Sequence, residues 1–343
     1  MGGEGIKCSS HTPKTMQFPF RVGSRAHAGA AMALLGLLGL TGCVTPNHRT
    51  PDPVVDAMSR DRTVQLQIFL DAQRFGPGVV DGHPGEFTSK ALVLYRESQG
   101  LPPEVTPDVS GIAPYTTYAV TADDLGRLGT MASEPAEQAQ QKTLPYTSLA
   151  ELIAERFHTT VAFVAELNPG RQVDSLTAGE VIRVPNIQRP FRVDAYPSSY
   201  SKRAASATES RRVVVDTRLR MLRVTEGARL LAAFPLTPGS DEHPAPLGEW
   251  KITGAVPWPW YRYDEGVLKR GERTETFYNL PPGPNSPVGV LWTGLNRPGV
   301  GIHGTAFPET IGRSGSHGCI RLSNWDAASF YTLVHKGMAV TIQ

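Results

Sequence analysis

Residues 302–324 read IHGTAFPETIGRSGSHGCIRLSN, and this stretch decides how the C-terminal part of the chain is interpreted. It brings two histidines, His303 and His317, and one cysteine, Cys319, within 17 positions of one another. A cysteine thiol becomes an effective nucleophile when a neighbouring histidine takes its proton. The glycines of the stretch allow backbone N–H groups to approach a reacting carbonyl closely. The pattern predicts an acyl-transfer site with Cys319 as nucleophile and His303 as base.

Other interpretations of these residues are weaker. A buried, inert cysteine would not need two histidines and several glycines around it. A zinc site made from His303, His317 and Cys319 lacks a fourth ligand and matches no common zinc spacing. The chain also carries no dinucleotide-binding or phosphate-binding motif. We therefore expect neither a metal nor a cofactor.

The surrounding sequence favours strands. Short apolar segments separated by glycine and proline predict a mostly β domain over 212–343. One helix is expected at 324–334, with Ser323 as its cap. The expected strands are 213–215, 221–224, 230–234, 250–252 and 339–342.

Three motifs in this predicted β domain resemble those of one enzyme family. The pair HG at 303–304 and the string SHGCIRL at 316–322 resemble the signature of the L,D-transpeptidase (YkuD) family. The strings PAPLGEW at 244–250 and GPNSPVG at 283–289 resemble two further segments of that family. One departure is Ala245, where the family usually has Thr or Ser. The resemblance spans the whole predicted domain and implies the family's catalytic fold.

The resemblance implies a role for each matching residue. Cys319 attacks a carbonyl of a peptidoglycan stem tetrapeptide and releases the terminal D-alanine, with His303 as the base. The carbonyl of Gly304 orients the imidazole, and the N–H groups of Gly318 and Cys319 are candidates for an oxyanion hole. Arg321 binds a substrate carboxylate, because its planar guanidinium can form two parallel hydrogen bonds.

The resemblance leaves several points open. His317 contributes either to the thiolate environment or only to the shape of the loop, and Ser316 is expected to be structural. The thioester on Cys319 is resolved by an amine of another stem, by a lysine of a lipoprotein, or by water, which would make the protein a hydrolase. A non-catalytic wall-binding protein is a further alternative, which the intact Cys319 and His303 disfavour. The family also implies that carbapenems acylate Cys319.

Residues 1–42 resemble a bacterial lipoprotein signal peptide. Two arginines precede an apolar run at 28–40, which has the length of a signal-peptide core and is short for a membrane span. The run ends in LTGC at 40–43, which resembles a lipobox. We therefore expect lipid on Cys43 and a tether over 43–59. An ordinary buried first helix is the alternative.

The processed chain is expected in the periplasm. Val44 after the lipidated cysteine favours the outer membrane of a Gram-negative bacterium. Removal of residues 1–42 takes away four basic side chains and one acidic side chain, so the net charge falls from +2 to −1. A nearly neutral chain gives no electrostatic reason to expect nucleic acid as a partner. Processing also removes Cys8 and modifies Cys43, which leaves Cys319 as the free thiol.

Residues 60–130 are predicted to hold a small helical module. Helical periodicity runs through 60–101 and is interrupted by the turn-rich string FGPGVVDGHPGEFTSK at 75–90. The pattern resembles the helical peptidoglycan-binding module, and a generic helical hairpin is the alternative. The polar residues 131–143 then predict a linker.

Residues 144–187 resemble a LysM module, a βααβ unit that binds glycan strands containing N-acetylglucosamine. A structural spacer that has kept this fold is the alternative. Residues 188–211 predict a second linker. The expected elements of the module are a weak strand at 144–146, helices at 149–157 and 160–167, and a strand at 181–185.

The predicted protein is thus multidomain, with a helical module and a LysM-like module ahead of a mostly β YkuD domain. Its expected partners are peptidoglycan stem peptides and glycan strands, the membrane through Cys43, and a lipoprotein as one candidate acceptor. The aromatic segment WPWYRY at 258–263 either walls the substrate cleft or packs in the interior, and the sequence leaves both open.

Overall fold

The C-terminal half of the chain folds as one curled sheet, with helices and a two-stranded sheet ahead of it. The computed structural model describes residues 52–200, 210–240, 242–313 and 318–343. These residues belong to one compact unit, His48–Gln343. In chain order the helices and strands are α1 (Pro53–Asp56), α2 (Arg60–Ala72), α3 (Glu86–Gln99), β1 (Tyr115–Ala119), α4 (Ala122–Leu125), α5 (Pro135–Gln138), α6 (Leu149–Arg156), α7 (Val161–Leu167), β2 (Val181–Pro185), β3 (Arg211–Asp216), β4 (Met221–Glu226), β5 (Arg229–Pro235), β6 (Gly248–Pro257), β7 (Tyr261–Tyr263), α8 (Glu265–Arg270), β8 (Tyr278–Leu280), β9 (Leu291–Leu295), β10 (Gly301–His303), β11 (Ile320–Arg321), α9 (Asn324–Tyr331) and β12 (Ala339–Ile342).

The main sheet has eight strands in the order β11-β10-β9-β6-β12-β3-β4-β5. Its two edges meet, because Thr237, just after β5, exchanges two backbone hydrogen bonds of 3.0 Å with Arg321 on β11. The pairings β10–β11 and β12–β3 are parallel, and the other pairings in this sheet are antiparallel. A short second sheet, β7–β8, lies apart from this order.

Alternating side chains of the strands fill the inside of the curl, as a period of two requires. Along β9 every second residue is buried. Helix α9 closes the core with Ala327 and Phe330, which are both fully buried. The strand residues of this core include Val213, Val215, Leu222, Val224, Phe234, Ile252, Leu291, Ile302, Ile320 and Val340.

The predicted strands of this domain are confirmed, since each lies within β3, β4, β5, β6 or β12. Helix α9 begins as predicted, and the hydroxyl of Ser323 accepts a hydrogen bond from the backbone N–H of Asp326 at 3.2 Å. The helix ends at Tyr331, three residues earlier than predicted. The sequence reasoning missed β7 to β11, of which only β9 exceeds three residues.

Helices α2 and α3 pack on the outer edge strand of the sheet. Their apolar side chains share a buried cluster with Met221 and Ala233. The backbone also joins the sheet here, because Ala233 donates to the carbonyl of Arg74 at 2.9 Å and Gly76 donates to the carbonyl of Ala233 at 2.8 Å. The helical periodicity at 60–101 is therefore confirmed as two helices.

The predicted first strand of the LysM-like module, 144–146, is wrong. The strand that pairs with β2 is β1, which runs antiparallel to it from Tyr115 to Ala119. Its sequence, YTTYA, is rich in the aromatic and β-branched residues that suit a strand. Leu144 instead binds the catalytic part of the chain, donating to the carbonyl of Pro282 at 3.1 Å and accepting from the N–H of Asn285 at 3.2 Å.

Parts of the other segments predicted as linker and tether are packed where the structure describes them. Residues 131–143 contain the short helix α5 and bury no residue, so the linker there stays a prediction. In 188–211, Phe191 and Tyr196 are buried in the core shared with α6 and α7. In 43–59, α1 buries Val55 completely. Within the described ranges, no helix is both long and apolar enough to cross a bilayer.

Candidate active site

Two very short parallel strands bring together the residues that the sequence singles out. On β10, Ile302 lies opposite Ile320 of β11, and His303 lies opposite Arg321. Cys319 directly precedes β11, and its thiol donates to the carbonyl of Gly299, two residues before β10, at 3.5 Å. The nucleophile and base candidates, 16 positions apart in the sequence, are therefore on neighbouring chain segments.

The alternation of side chains assigns His303 and Arg321 to one face. Ile302 and Ile320 are fully buried and point into the core. His303 and Arg321 each follow one of these isoleucines, so they point to the opposite face. Cys319 is two positions before Arg321, directly ahead of β11, and is half-buried. The paired strands thus bring the imidazole and the guanidinium to one side of the sheet, and the thiol lies where β11 begins.

The His303 imidazole is held on two sides. Its Nδ1 lies 2.7 Å from the carbonyl oxygen of Gly304, so Nδ1 carries the proton. Its ring stacks on the indole of Trp292, the residue opposite it on β9, with 5.6 Å between ring centroids. This arrangement leaves Nε2 as the nitrogen that can accept a proton from a thiol.

Burial sets the protonation of both groups. Burial, together with a smaller effect of the Arg321 charge, lowers the pKa of His303 to about 4, although the Gly304 hydrogen bond opposes this shift. Burial raises the pKa of the Cys319 thiol, partly offset by its backbone hydrogen bond with Gly301. Both shifts favour the neutral forms, a thiol and an imidazole, near pH 7. A neutral thiol and imidazole would have to react by transferring the proton during attack and not through a preformed ion pair.

The chain makes a sharp turn directly before the cysteine. Gly318 has a φ of +89°, a conformation that glycine adopts without strain. A Cβ on this residue would lie 3.5 Å from the carbonyl oxygen of Pro244, in the PAPLGEW segment. That segment therefore borders the turn that presents Cys319.

The GPNSPVG segment borders the same site from the other side. A Cβ on Gly289 would lie 2.6 Å from the carbonyl carbon of Gly304. The side chain of Asn324, at the start of α9, lies between these two glycines and accepts a hydrogen bond from the N–H of Val290 at 3.1 Å. The segment thus supports the backbone that binds the His303 imidazole.

Burial raises the pKa of Tyr261, on β7, to about 12, and the neighbouring Cys319 adds to this shift. Tyr261 therefore lies within electrostatic range of the thiol. In the same aromatic segment, Trp258 packs inward, and its indole N–H donates to the carbonyl of Tyr196 at 3.1 Å. The segment at 258–263 both packs in the interior and borders the site.

Three predicted site residues are not described by the structure, and two further residues near His303 were not predicted. Ser316, His317 and Cys43 fall outside the described residues. Trp292 and Asn324 were missed as site residues. Their proximity to His303 depends on which strands pair, and no local motif indicates that pairing.

Comparison with known proteins identifies the family. A family model described as the L,D-transpeptidase catalytic domain, YkuD, matches residues 210–342. A Bacillus licheniformis protein named as the L,D-transpeptidase YkuD is 30% identical over 192 residues, which make up 56% of this chain and 92% of that protein. The chain belongs to the YkuD L,D-transpeptidase family. It is accordingly an enzyme of the L,D-transpeptidase kind.

Other YkuD-family proteins show weaker likeness. The protein of the same name from Bacillus subtilis is 26% identical over 190 residues, 55% of this chain and 90% of that protein. The solved L,D-transpeptidase from Mycobacterium smegmatis is 24% identical, with a TM-score of 0.31. Its alignment covers 39% of this chain and 58% of that one. The family assignment rests on the Bacillus licheniformis relative and not on this structural likeness.

The protonation of the YkuD-family site predicts how Cys319 reacts with a small alkylating agent. Alkylation by iodoacetamide is expected to slow about tenfold for each pH unit below the thiol pKa, because only the thiolate reacts. His303→Gln is expected to leave this profile close to that of wild type. The rate is measured from pH 5 to pH 10 by mass spectrometry. A rate that stays high down to about pH 5 would show a preformed thiolate–imidazolium pair instead.

Proposed function

We propose that this protein is a peptidoglycan L,D-transpeptidase that forms a thioester on Cys319 and transfers the acyl group to an amine. One observation supports the proposal: β10 pairs with β11 in parallel, so that His303 lies opposite Arg321, which is two positions after Cys319. The donor is a stem tetrapeptide that ends in D-alanine, as the YkuD family implies. The family assignment supports this reaction class, and the site geometry supports the role proposed for each residue.

The first half of the reaction forms the thioester. Sγ of Cys319 attacks the carbonyl carbon before the terminal D-alanine, while Nε2 of His303 takes the thiol proton. The N–H groups of Gly318 and Cys319, at the turn that Gly318 makes, are proposed to stabilise the resulting oxyanion. The carbon–nitrogen bond then breaks, and His303 returns the proton to the departing amine of D-alanine.

The second half of the reaction breaks the thioester. An acceptor amine attacks the same carbonyl carbon, and the neutral His303 takes a proton from the attacking nitrogen. The carbon–sulfur bond breaks, and the proton passes from His303 to the sulfur of Cys319. The site returns to its starting state of thiol and neutral imidazole, and the products are a new amide and free D-alanine.

Arg321 is proposed to bind a carboxylate of the donor stem. It lies directly beside His303 on the paired strand, and its guanidinium is partly buried. A positive charge in this position attracts the D-alanine carboxylate and disfavours protonation of the neighbouring imidazole. The same residue thus supports both substrate binding and the neutral state of the base.

The proposal predicts the peptidoglycan composition of cells that express the enzyme. Wild type is expected to produce cross-links between the third residues of two stems, with loss of D-alanine. Cys319→Ala is expected to abolish these products, because it removes the sulfur without adding bulk. Mass spectrometry of digested peptidoglycan measures both, and thermal unfolding of the purified Cys319→Ala variant checks that its fold is kept.

The outcomes of this experiment separate the alternatives. Stems trimmed to tripeptides, without new cross-links, would show that water resolves the thioester and that the enzyme is a hydrolase. Stems joined to a lipoprotein lysine would show a protein acceptor. Peptidoglycan that does not differ between wild type and Cys319→Ala would overturn the catalytic proposal and favour a wall-binding role.

A LysM-like role is proposed for the unit formed by β1, α6, α7 and β2. With β1 as the first strand, the order is strand, helix, helix, strand, and residues 120–148 form an insertion before α6. The alignment with the Bacillus licheniformis protein supports a shared module, because 192 residues cannot fit between 210 and the chain end at 343. Binding to glycan strands and to peptidoglycan through α2 and α3 is part of the proposal.

Wall binding predicts that the purified Cys319→Ala protein sediments with peptidoglycan sacculi in the presence of detergent, which excludes binding through lipid. Oligomers of N-acetylglucosamine are expected to release it, since they compete for a glycan site. The bound fraction is measured on gels after centrifugation, with sacculi omitted as the control. Sedimentation that the oligomers do not reduce would argue against a glycan site.

The N-terminal segment supports the proposal of a lipid anchor at Cys43 in the periplasm. Mass spectrometry of the mature N-terminal peptide is expected to show a lipid-modified Cys43 as the first residue. Cys43→Ser is expected to retain residues 1–42, because the cleavage requires the lipid-bearing cysteine. An unmodified Cys43 in the wild-type protein would contradict the anchor.

A further inference from the structure

Glu155 lies on α6, outside the residues that the catalytic family matches, yet its side chain is buried against the catalytic part of the chain. Its Oε1 accepts a hydrogen bond from Nδ2 of Asn324 at 2.7 Å. Its Oε2 accepts a hydrogen bond from the hydroxyl of Tyr146. Glu155 is 6% exposed and Asn324 is completely buried. Burying a carboxylate is costly unless its oxygens are satisfied, so this contact has to offset a substantial desolvation penalty.

The neighbours of Asn324 fix the orientation of its amide group. Oδ1 accepts from the backbone N–H of Val290 at 3.1 Å, and Nδ2 donates to the carbonyl of Pro284 at 3.2 Å as well as to Glu155. An N–H can only donate and a carbonyl can only accept, so the reverse orientation would break all three bonds. The amide therefore ties both ends of the segment 284–290 to the start of α9.

The same amide is in close contact with the backbone that holds His303. A Cβ placed on Gly304 would lie 2.3 Å from Oδ1 of Asn324, and one on Gly289 would lie 2.1 Å from it. The amide thus fills the space between the two glycines. The carbonyl oxygen of Gly304 in turn binds Nδ1 of His303 at 2.7 Å. A continuous series of contacts leads from α6 to the imidazole.

We infer that Glu155 is a positioning residue for the reaction: it holds the Asn324 amide, which holds the Gly304 backbone and through it the imidazole of His303. The inference rests on the proposed function, because it takes His303 to be the base. Without Glu155, Asn324 keeps two of its three hydrogen bonds and loses the one that directs it from outside the catalytic domain. The imidazole then samples orientations in which Nε2 is not aimed at the thiol.

The test compares two reactions of Cys319 in the full chain. Acylation by a carbapenem at neutral pH needs His303 to take the thiol proton, whereas alkylation by iodoacetamide at alkaline pH needs only the thiolate. Glu155→Ala is expected to slow acylation by about tenfold to a hundredfold, the effect of a small misplacement of a catalytic group. Alkylation is expected to stay at the wild-type rate.

The conservative variant distinguishes hydrogen bonding from charge. Glu155→Gln keeps an oxygen that accepts from Asn324, so its acylation rate is expected to stay within about threefold of wild type, a small loss beside that of a misplaced group. Tyr146→Phe frees only the second oxygen of Glu155 and is expected to give a smaller loss of acylation, again with unchanged alkylation. This milder variant keeps the test decisive if Glu155→Ala does not fold.

A matched control separates positioning from general destabilisation. Ile182→Ala on β2 opens the same buried core as α6, and Ile182 contributes no hydrogen bond to Asn324. This variant is expected to lower the melting temperature and to acylate at the wild-type rate below it. Equal slowing of acylation in Ile182→Ala and Glu155→Ala would overturn the inference. So would wild-type acylation in Glu155→Ala, or in Tyr146→Phe if Glu155→Ala does not fold.

The same measurements keep this inference separate from the proposed function. If a carbapenem does not acylate wild type, or acylates Cys319→Ala equally, the proposed reaction fails whatever Glu155 does. If wild type is acylated on Cys319 and the Glu155 variants match it in both reactions, only the positioning role fails. Slowed acylation with unchanged alkylation in Glu155→Ala supports both.

Discussion

The parallel pairing of β10 with β11 is the contact on which the site depends. It consists of two residue pairs, and a slip by one position would send His303 into the core and Ile302 to the reactive face. Burial of both isoleucines opposes such a slip, because each would lose its place in the apolar interior. The backbone bonds between Arg321 and Thr237 hold β11 from its other side. The register of a minimal strand is thus stabilised by the closure of the whole sheet.

The electrostatics of the site follow from the contacts around His303. Its ring stacks on Trp292 and binds the carbonyl of Gly304, so His303 is buried, while Cys319 remains half-buried. The imidazole is therefore neutral and only weakly basic. It accepts the thiol proton while the sulfur attacks the carbonyl, and not before. In the proposed reaction, the geometry of the imidazole matters more than the charge of the resting pair, so the contacts that hold His303 are important.

The sequence was informative where chemistry and structure are local. The histidines, glycines and cysteine of 302–324 lie in one stretch. Strands such as β3 and β12 are short apolar runs, which predict a strand without knowledge of its partner. It was less informative where a residue's role depends on a distant partner. The strand β1 was missed because twenty-nine residues separate it from α6, and its partner β2 lies beyond two further helices. Trp292 and Asn324 join the site only through pairings that a single sequence does not encode locally.

The second predicted linker shows a related limit. Residues 188–200 contain polar and apolar residues in similar numbers, and Phe191, Val193 and Tyr196 pack the segment against the folded chain. Composition describes the average of a segment, whereas packing depends on the few apolar side chains that contact a neighbouring apolar surface. The surface in this case belongs to α6, α7 and α9, so it exists only in the folded chain.

The close approach of Gly283 to Leu144 has a consequence for how such proteins can evolve. A Cβ on Gly283 would lie 2.1 Å from the carbonyl oxygen of Leu144, so the insertion before α6 and the GPNSPVG segment are shaped to each other at the level of the backbone. Catalytic and wall-binding modules are commonly pictured as units that recombination can join in new orders. A recombined gene that paired this catalytic domain with an unrelated module would lose that fit. A graft of this catalytic domain onto another upstream segment is therefore expected to need a backbone that matches Leu144 at Gly283.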